Sequence, residues 1–268
     1  MIAKKNNPIK QIYITHEKGL EVLVPHIKDA IGEMMDCFPQ YKDYFPVTNL
    51  GDWKDEDYAN QLNDGRIRYN PHKSTQWYIE RAKAKAVAQG RWNNRQHQLS
   101  ITQLYEDTYN DPYAKKIPQF QILVTKHDLY AELENGRLLN FCNGVAREGQ
   151  FLIVSTYRFL DEGGKLDIER FKTVLMHEFG HMIGLTPTGR KNSYEELGTH
   201  CNNGDIMQQD MSGTARIMTA NRLNRKRQGI PPICNDCIDA GNNFFRKEMG
   251  KHIEKVGIRN FLNGRDTR

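Results

Sequence analysis

The chain alternates between two hydrophobic rhythms. Residues 10–16, KQIYITH, gather Ile12, Tyr13, Ile14 and Thr15 into a run of β-formers and predict a first strand. From Leu20 the apolar positions Leu23, Val24, Ile27, Ile31 and Met34 fall three or four apart, with Met35 alongside. That is the spacing of an amphipathic helix, and Pro25 sits near its start, where a helix tolerates proline. Residues 39–75 are rich in Tyr, Asp, Asn and Pro without a regular period, and no element is placed in them. WYIERAKAKAVAQ predicts a helix from about Thr75 and HQLSITQLYED a second, with Gly90 between them. QFQILVTK, residues 119–126, reads as an unbroken central strand with HDLY as its exit. LNFCNGVA, residues 139–146, reads as a short strand interrupted by Gly144, which suits an edge or a bulge. QFLIVSTY, residues 150–157, is another strand. Strands interleaved with helices predict an α/β fold.

The best-patterned helix follows. Asp167 is placed to cap it and Glu169 suits its first turn. Ile168, Phe171, Val174, Leu175, Phe179 and Met182 then recur at helical spacing, and Gly184 stands where a left-handed C-cap belongs. Beyond it regular patterning is lost until about residue 240. A last helix is expected over 240–256, with Phe244, Phe245, Met249 and Ile253 on one side.

Composition narrows the classes. The 268 residues are 38% hydrophobic and 26% charged, with a formal charge of +5, which gives an ordinary core and permits an anionic partner without demanding one. No apolar run approaches the roughly 18 residues of a membrane span, so no membrane partner is expected. The first residues lack the apolar stretch of a secretory signal, and a cytoplasmic location is expected. Arg222, Arg225, Lys226 and Arg227 cluster with few aromatics and read as a solvated face rather than a nucleic-acid surface. No GxGxxG or GxxxxGK[ST] string marks a nucleotide site. The five cysteines, Cys37, Cys142, Cys201, Cys234 and Cys237, are odd in number and too few for a disulfide scaffold. Their clustering as HC and CNDC reads as metal binding. A redox CxxC is disfavoured because prolines precede the pair and no long helix-forming run is evident immediately after it.

The sharpest chemistry is HEFGH, His177 to His181, inside the patterned helix. Positions i and i+4 share a face, so both imidazoles can meet one zinc ion at about 2.0–2.1 Å. Glu178 can then serve as the proton-transferring base beside a polarising metal. A third ligand is needed. Pro187 stands where a compact motif would place it, and the next histidine is His200, after the 13-residue stretch TPTGRKNSYEELG. His200 is taken as that ligand. The rival is a carboxylate, Glu195 or Glu196.

Taken together, HEFGHMIGL, HCNNGDIMQ and CNDC resemble the archaemetzincin group of metzincin metallopeptidases, as do ILVTKHDLY and NFCNGVAREGQFLIVSTYRF upstream. The resemblance spans about residues 120–240. It implies an α/β metzincin-like fold: a twisted mixed sheet with an antiparallel edge strand, an active-site helix, and an irregular C-terminal part clipped by zinc. The division implied is 1–184 and 185–268. It implies His177, His181 and His200 as catalytic zinc ligands, Glu178 as general base, and Met207 as the methionine beneath the metal, with Met218 the alternative. It implies a second, structural zinc on Cys201, Cys234 and Cys237. The second of the family's four cysteines is missing where Asp205 and Ile206 stand; Asp205 could replace it, a histidine or Cys142 could complete the site from elsewhere, or the site could be degenerate. The substrate is expected to be a peptide or protein laid along the edge strand of Phe141, Cys142, Asn143, Gly144, Val145 and Ala146, bordered by the insertion. The competing reading is a zinc-stabilised binding protein whose cleft the insertion blocks.

Overall fold

In the computed structural model, β1 (Gln11–His16) leads through a 3-10 turn into α1 (Val24–Met35) and then to β2 (Val47–Gly51). There follow α2 (Thr75–Ala88), β3 (Gln98–Ser100), α3 (Ile101–Asn110), β4 (Gln119–Thr125), β5 (Asp128–Glu132), β6 (Leu138–Leu139), β7 (Gly144–Arg147) and β8 (Phe151–Ser155). The chain continues through α4 (Ile168–Met182), a hairpin of β9 (Ser193–Glu195) and β10 (Thr199–Cys201), α5 (Arg216–Arg227) and α6 (Asn235–Asn263). The structure describes residues 9–51, 74–111, 119–133, 135–161, 163–195, 197–209 and 215–263, with side chains of the last helix as far as His252.

The main sheet has the order β2-β1-β4-β8-β7. Its first four strands are parallel, and β7 closes one edge antiparallel to β8, with Val145 opposite Ile153. Every residue of β4 is buried, Gln119, Gln121 and Thr125 along with the apolar ones, as befits a central strand of a sheet covered on both faces. Phe120, Ile122 and Val124 face a core shared with Ile27 and Ile31 of α1 and Phe171, Leu175 and Phe179 of α4. Leu123 and Ile153 face the other layer, with Tyr78 of α2 and Leu104 of α3. The mixed α/β architecture expected from the sequence is therefore present. Phe244 and Phe245 of α6 join the first core, where Phe245 meets Phe38 and Phe45 at ring distances of 5.3 and 5.0 Å.

Several expectations are corrected. HDLY is not an exit: Asp128 begins β5, which pairs parallel with β3 and antiparallel with β6 in a second sheet. Residues 98–100 are strand, and the helix there begins at Ile101, capped by Ser100 Oγ, which accepts from Gln103 N–H at 3.2 Å. The strand expected over 139–146 is split. Leu138–Leu139 belongs to the second sheet, Phe141, Cys142 and Asn143 are irregular, and Gly144 opens the edge strand rather than interrupting it. Helix α5 lies in a stretch without regular apolar spacing, and α6 starts at Asn235, directly after Cys234, so a long helix does run through and beyond CNDC. Arg222 is not on a solvated face. It is fully buried; its Nη1 donates to both carboxylate oxygens of Glu33 at 3.1 Å, its Nε to Thr173 Oγ1 at 3.0 Å, and its Nη2 to Glu169. Carboxylates on α1 and α4 satisfy a charge that isolation would have kept in water. Glu196 lies outside the described residues, as does the side chain of Ile253.

Candidate metal centres

Helix α4 begins at Asp167, whose carboxylate accepts from Arg170 N–H at 3.1 Å, and ends before Gly184, whose φ is +66°. Near its C-terminal end His177 and His181 lie one turn apart. The hairpin β9–β10 returns His200 to them. One nitrogen from each of the three rings lies within 4.8 Å of the others, and ring centroids are 4.7–5.3 Å apart.

The far nitrogens show what the near ones hold. His177 Nδ1 donates to the Ile206 carbonyl at 2.7 Å, and His200 Nδ1 to the Gly198 carbonyl at 3.0 Å. Donation from Nδ1 leaves Nε2 of each ring with a lone pair turned inward. His181 Nδ1 meets Thr186 Oγ1 at 3.1 Å, while its Nε2 is 3.1 Å from that of His177. Burial, and then His200, pushes His177 down to about 4; burial and both neighbouring histidines hold His181 well below its usual value. Neutral rings with converging lone pairs and oriented far nitrogens are a donor set that fits a divalent transition metal.

Glu178 is buried beneath the edge strand, and burial raises its carboxyl to about 8. The space it occupies exists because residue 144 is glycine. A Cβ there would stand 2.8 Å from both Glu178 Cγ and the Ile153 carbonyl oxygen. The outer edge of β7 also has a definite phase. Ser155 N–H donates to Asn143 C=O at 2.9 Å, so Val145 and Arg147 pair inward while the backbone groups of Gly144 and Ala146 face outward. The Cys142 thiol donates to the Gly144 carbonyl at 2.9 Å. Burial and the Glu178 charge push that thiol up to about 12.

The second cluster unites Cys201, Asp205, Cys234 and Cys237, with one donor atom from each within 4.8 Å of the rest. Asp205 is fully buried; its Oδ1 accepts from Met207 N–H at 2.8 Å and its Oδ2 from Cys234 N–H at 2.7 Å. Cys201 and Cys234 sulfurs are 3.6 Å apart, and all the cysteines are free. The neighbouring Cys237 pulls the Cys201 thiol down to about 6. Three sulfurs and a carboxylate also fit a divalent metal. Of the alternatives open in the sequence, Asp205 joins the cluster, and Cys142 stands apart beside Glu178. Glu195 is exposed, paired with Thr199 in the hairpin, and outside the histidine group.

Met207 is fully buried beneath α4, so close to Gly180 that a Cβ there would overlap its side chain. Met218 lies on α5 in the core. Sequence reasoning missed Thr186 and the Ile206 carbonyl as partners of the ligand-like rings; such contacts leave no pattern in a chain.

A distant likeness is all that comparison adds. No family model and no curated protein matches the chain. The crystal structure of archaemetzincin from Methanopyrus kandleri is similar at 18% identity and a TM-score of 0.44, over 92% of this chain and 99% of that one. A likeness at that level carries no argument about activity. Among the described residues, no helix is long and apolar enough to cross a membrane.

Proposed function

We propose that the chain is a zinc-dependent peptide hydrolase of metzincin-like plan, with His177, His181 and His200 as metal ligands and Glu178 as general base. The observation that supports it is the convergence of three imidazoles, each turned by a bond at its far nitrogen, next to a buried carboxylate under an open strand edge. When bound, the metal supplies Lewis acidity at the position that three protein ligands leave open. The rest falls to the side chains and the backbone. Glu178 takes the proton of the attacking water and returns it to the leaving amine, a task suited to a carboxyl whose burial lifts its proton affinity toward neutrality. An extended peptide or protein substrate adds to β7 through the outward groups of Gly144 and Ala146. Its N–H displaces the Cys142 thiol from the Gly144 carbonyl. Cys201, Asp205, Cys234 and Cys237 hold a second zinc whose role is structural, because four protein donors leave no open position. On this plan residues 185–268 bring the third ligand, Met207 beneath the metal, and the cysteine cluster to an N-terminal unit, 1–184.

The test is Glu178→Gln, assayed on a peptide library with metal content and circular dichroism measured in parallel. Fold and metal are expected to persist while cleavage drops about 10²–10⁴-fold. Unchanged turnover rejects the assignment. Metal held by the unaltered protein without any cleavage moves the reading to a metal-stabilised binding protein with a blocked cleft.

A further inference from the structure

The insertion between His181 and His200 meets the cysteine cluster through the pairing of Ser193 with Cys201 and through the side chain of Arg190. Arg190 Nη1 donates to the Cys237 sulfur at 3.1 Å and to the Leu185 carbonyl at 3.1 Å. Its Nε and Nη2 are covered and meet no acceptor. A guanidinium is always charged, and covering its N–H groups without partners is costly unless negative charge lies close by. The sulfur it touches belongs to the cluster that gathers three cysteines and the buried Asp205. Three thiolates and a carboxylate around one divalent cation leave two negative charges in excess, and one guanidinium halves that excess. We propose that Arg190 is the counter-charge of the cysteine cluster, a positioning residue that stabilises the three thiolates gathered around a divalent metal. This rests on the cluster being a metal site, and it gives the insertion a task other than bordering a cleft.

The experiment strips the full chain of metal and reloads it with cobalt(II), whose sulfur-to-metal absorption reports thiolate ligation. Retention is titrated against a chelator. Arg190→Gln is expected to move the band to longer wavelength, since removing a cation from beside thiolates raises the energy of their electrons. It should also weaken cobalt binding at the cluster about 10–100-fold, the usual effect of losing a partner of a metal ligand. Arg190→Lys keeps a point charge without the planar fork, and should recover most of the band position and part of the affinity. An unchanged band and affinity in Arg190→Gln overturn the proposal. So does a lysine variant that behaves like the glutamine one, because that gives the role to shape rather than charge. If Arg190→Gln does not fold, Arg190→Met replaces it. Should neither neutral variant fold with cobalt while the lysine variant folds with the wild-type band, the proposal stands; should the lysine variant fail too, Arg190 is a structural clamp and the proposal falls. An unaltered protein with no sulfur-to-cobalt band is a separate failure, that of the cluster as a metal site.

Discussion

The histidine and cysteine clusters are built from the same hairpin and differ in what they leave undone. In β10, His200 and Cys201 are neighbours, and the two-residue period of a strand sends them to opposite sides. His200 meets two rings from α4 near β7, the edge strand of the main sheet. Cys201 meets Cys234, Cys237 and Asp205, and Asp205 is further tied by two backbone N–H groups. One cluster offers three donors with the buried carboxylate of Glu178 alongside, the other four donors. On the proposed reading, donor count, more than donor type, separates a centre with a position left for a substrate from one that only holds the chain. The contrast also sets an order of dependence: what fixes Cys201 fixes the strand that carries His200.

The largest effect should come from breaking the open centre alone. His200→Ala is expected to lower peptide cleavage by at least roughly 10³-fold, about 4 kcal/mol of transition-state stabilisation. Metal analysis should show loss of the histidine-bound equivalent while the cysteine-bound one remains. Loss of both would show that the two clusters are not separate centres.

Breaking the closed centre should act on stability first. Cys234→Ser removes a donor at the start of α6. A metal present at about a thousand times its dissociation constant contributes about 4 kcal/mol, and urea unfolding with and without zinc should show a loss of that size. Because β10 is shared, metal affinity at the histidines should also fall, by about 5–10-fold, a modest coupling. Unaltered affinity there would mean that the hairpin holds His200 without help.

Much of this contrast is legible in the sequence, for identifiable reasons. β1, β4, β8 and α4 are found because apolar period and burial coincide along them. His177, Glu178 and His181 lie within five residues, so one helical turn gathers them whatever the remainder of the fold does. His200 and Cys201 are marked by their chemistry but placed by a hairpin that pairs only three residues per strand. Asp205 is one carboxylate among many until its two backbone bonds are seen. Helix α5 escapes the pattern because its buried set is Met218, Thr219 and Arg222, and a buried arginine reads as surface until Glu33 and Glu169 are known to face it. The edge strand is misjudged at Gly144 because the glycine answers a tertiary neighbour, Glu178, and not a local turn.

A smaller effect separates the clusters by pH. In metal-free protein, burial lifts the Glu178 carboxyl from its ordinary 4.5 to about 8. The folded chain keeps a proton that the unfolded chain releases, so this residue's contribution is fully present below pH 4.5 and is lost as pH rises through 8. Urea unfolding of metal-free protein and of Glu178→Gln should show the unaltered chain losing ground to the variant across that window, by a few kcal/mol at most. A parallel pH dependence of the two proteins would mean that the carboxyl is not buried.

The finest test concerns a single methyl group. Gly144→Ala places a Cβ 2.8 Å from Glu178 Cγ and equally close to the Ile153 carbonyl oxygen. The glutamate can swing aside, but the carbonyl belongs to the paired strand β8 and cannot move without loosening the edge. The expected cost is about 1–3 kcal/mol in stability, and on the proposed reading cleavage falls as well, because the Glu178 carboxylate leaves its place. Gly32→Ala is the control: it lies within α1 with nothing inside 4 Å of its Cβ, and alanine there should stabilise the helix by about 0.5–1 kcal/mol. The two substitutions add the same atom and should differ in sign. If both stabilise, the strand does not rest on Glu178, and the proposed centre loses the contact that holds its carboxylate beneath β7.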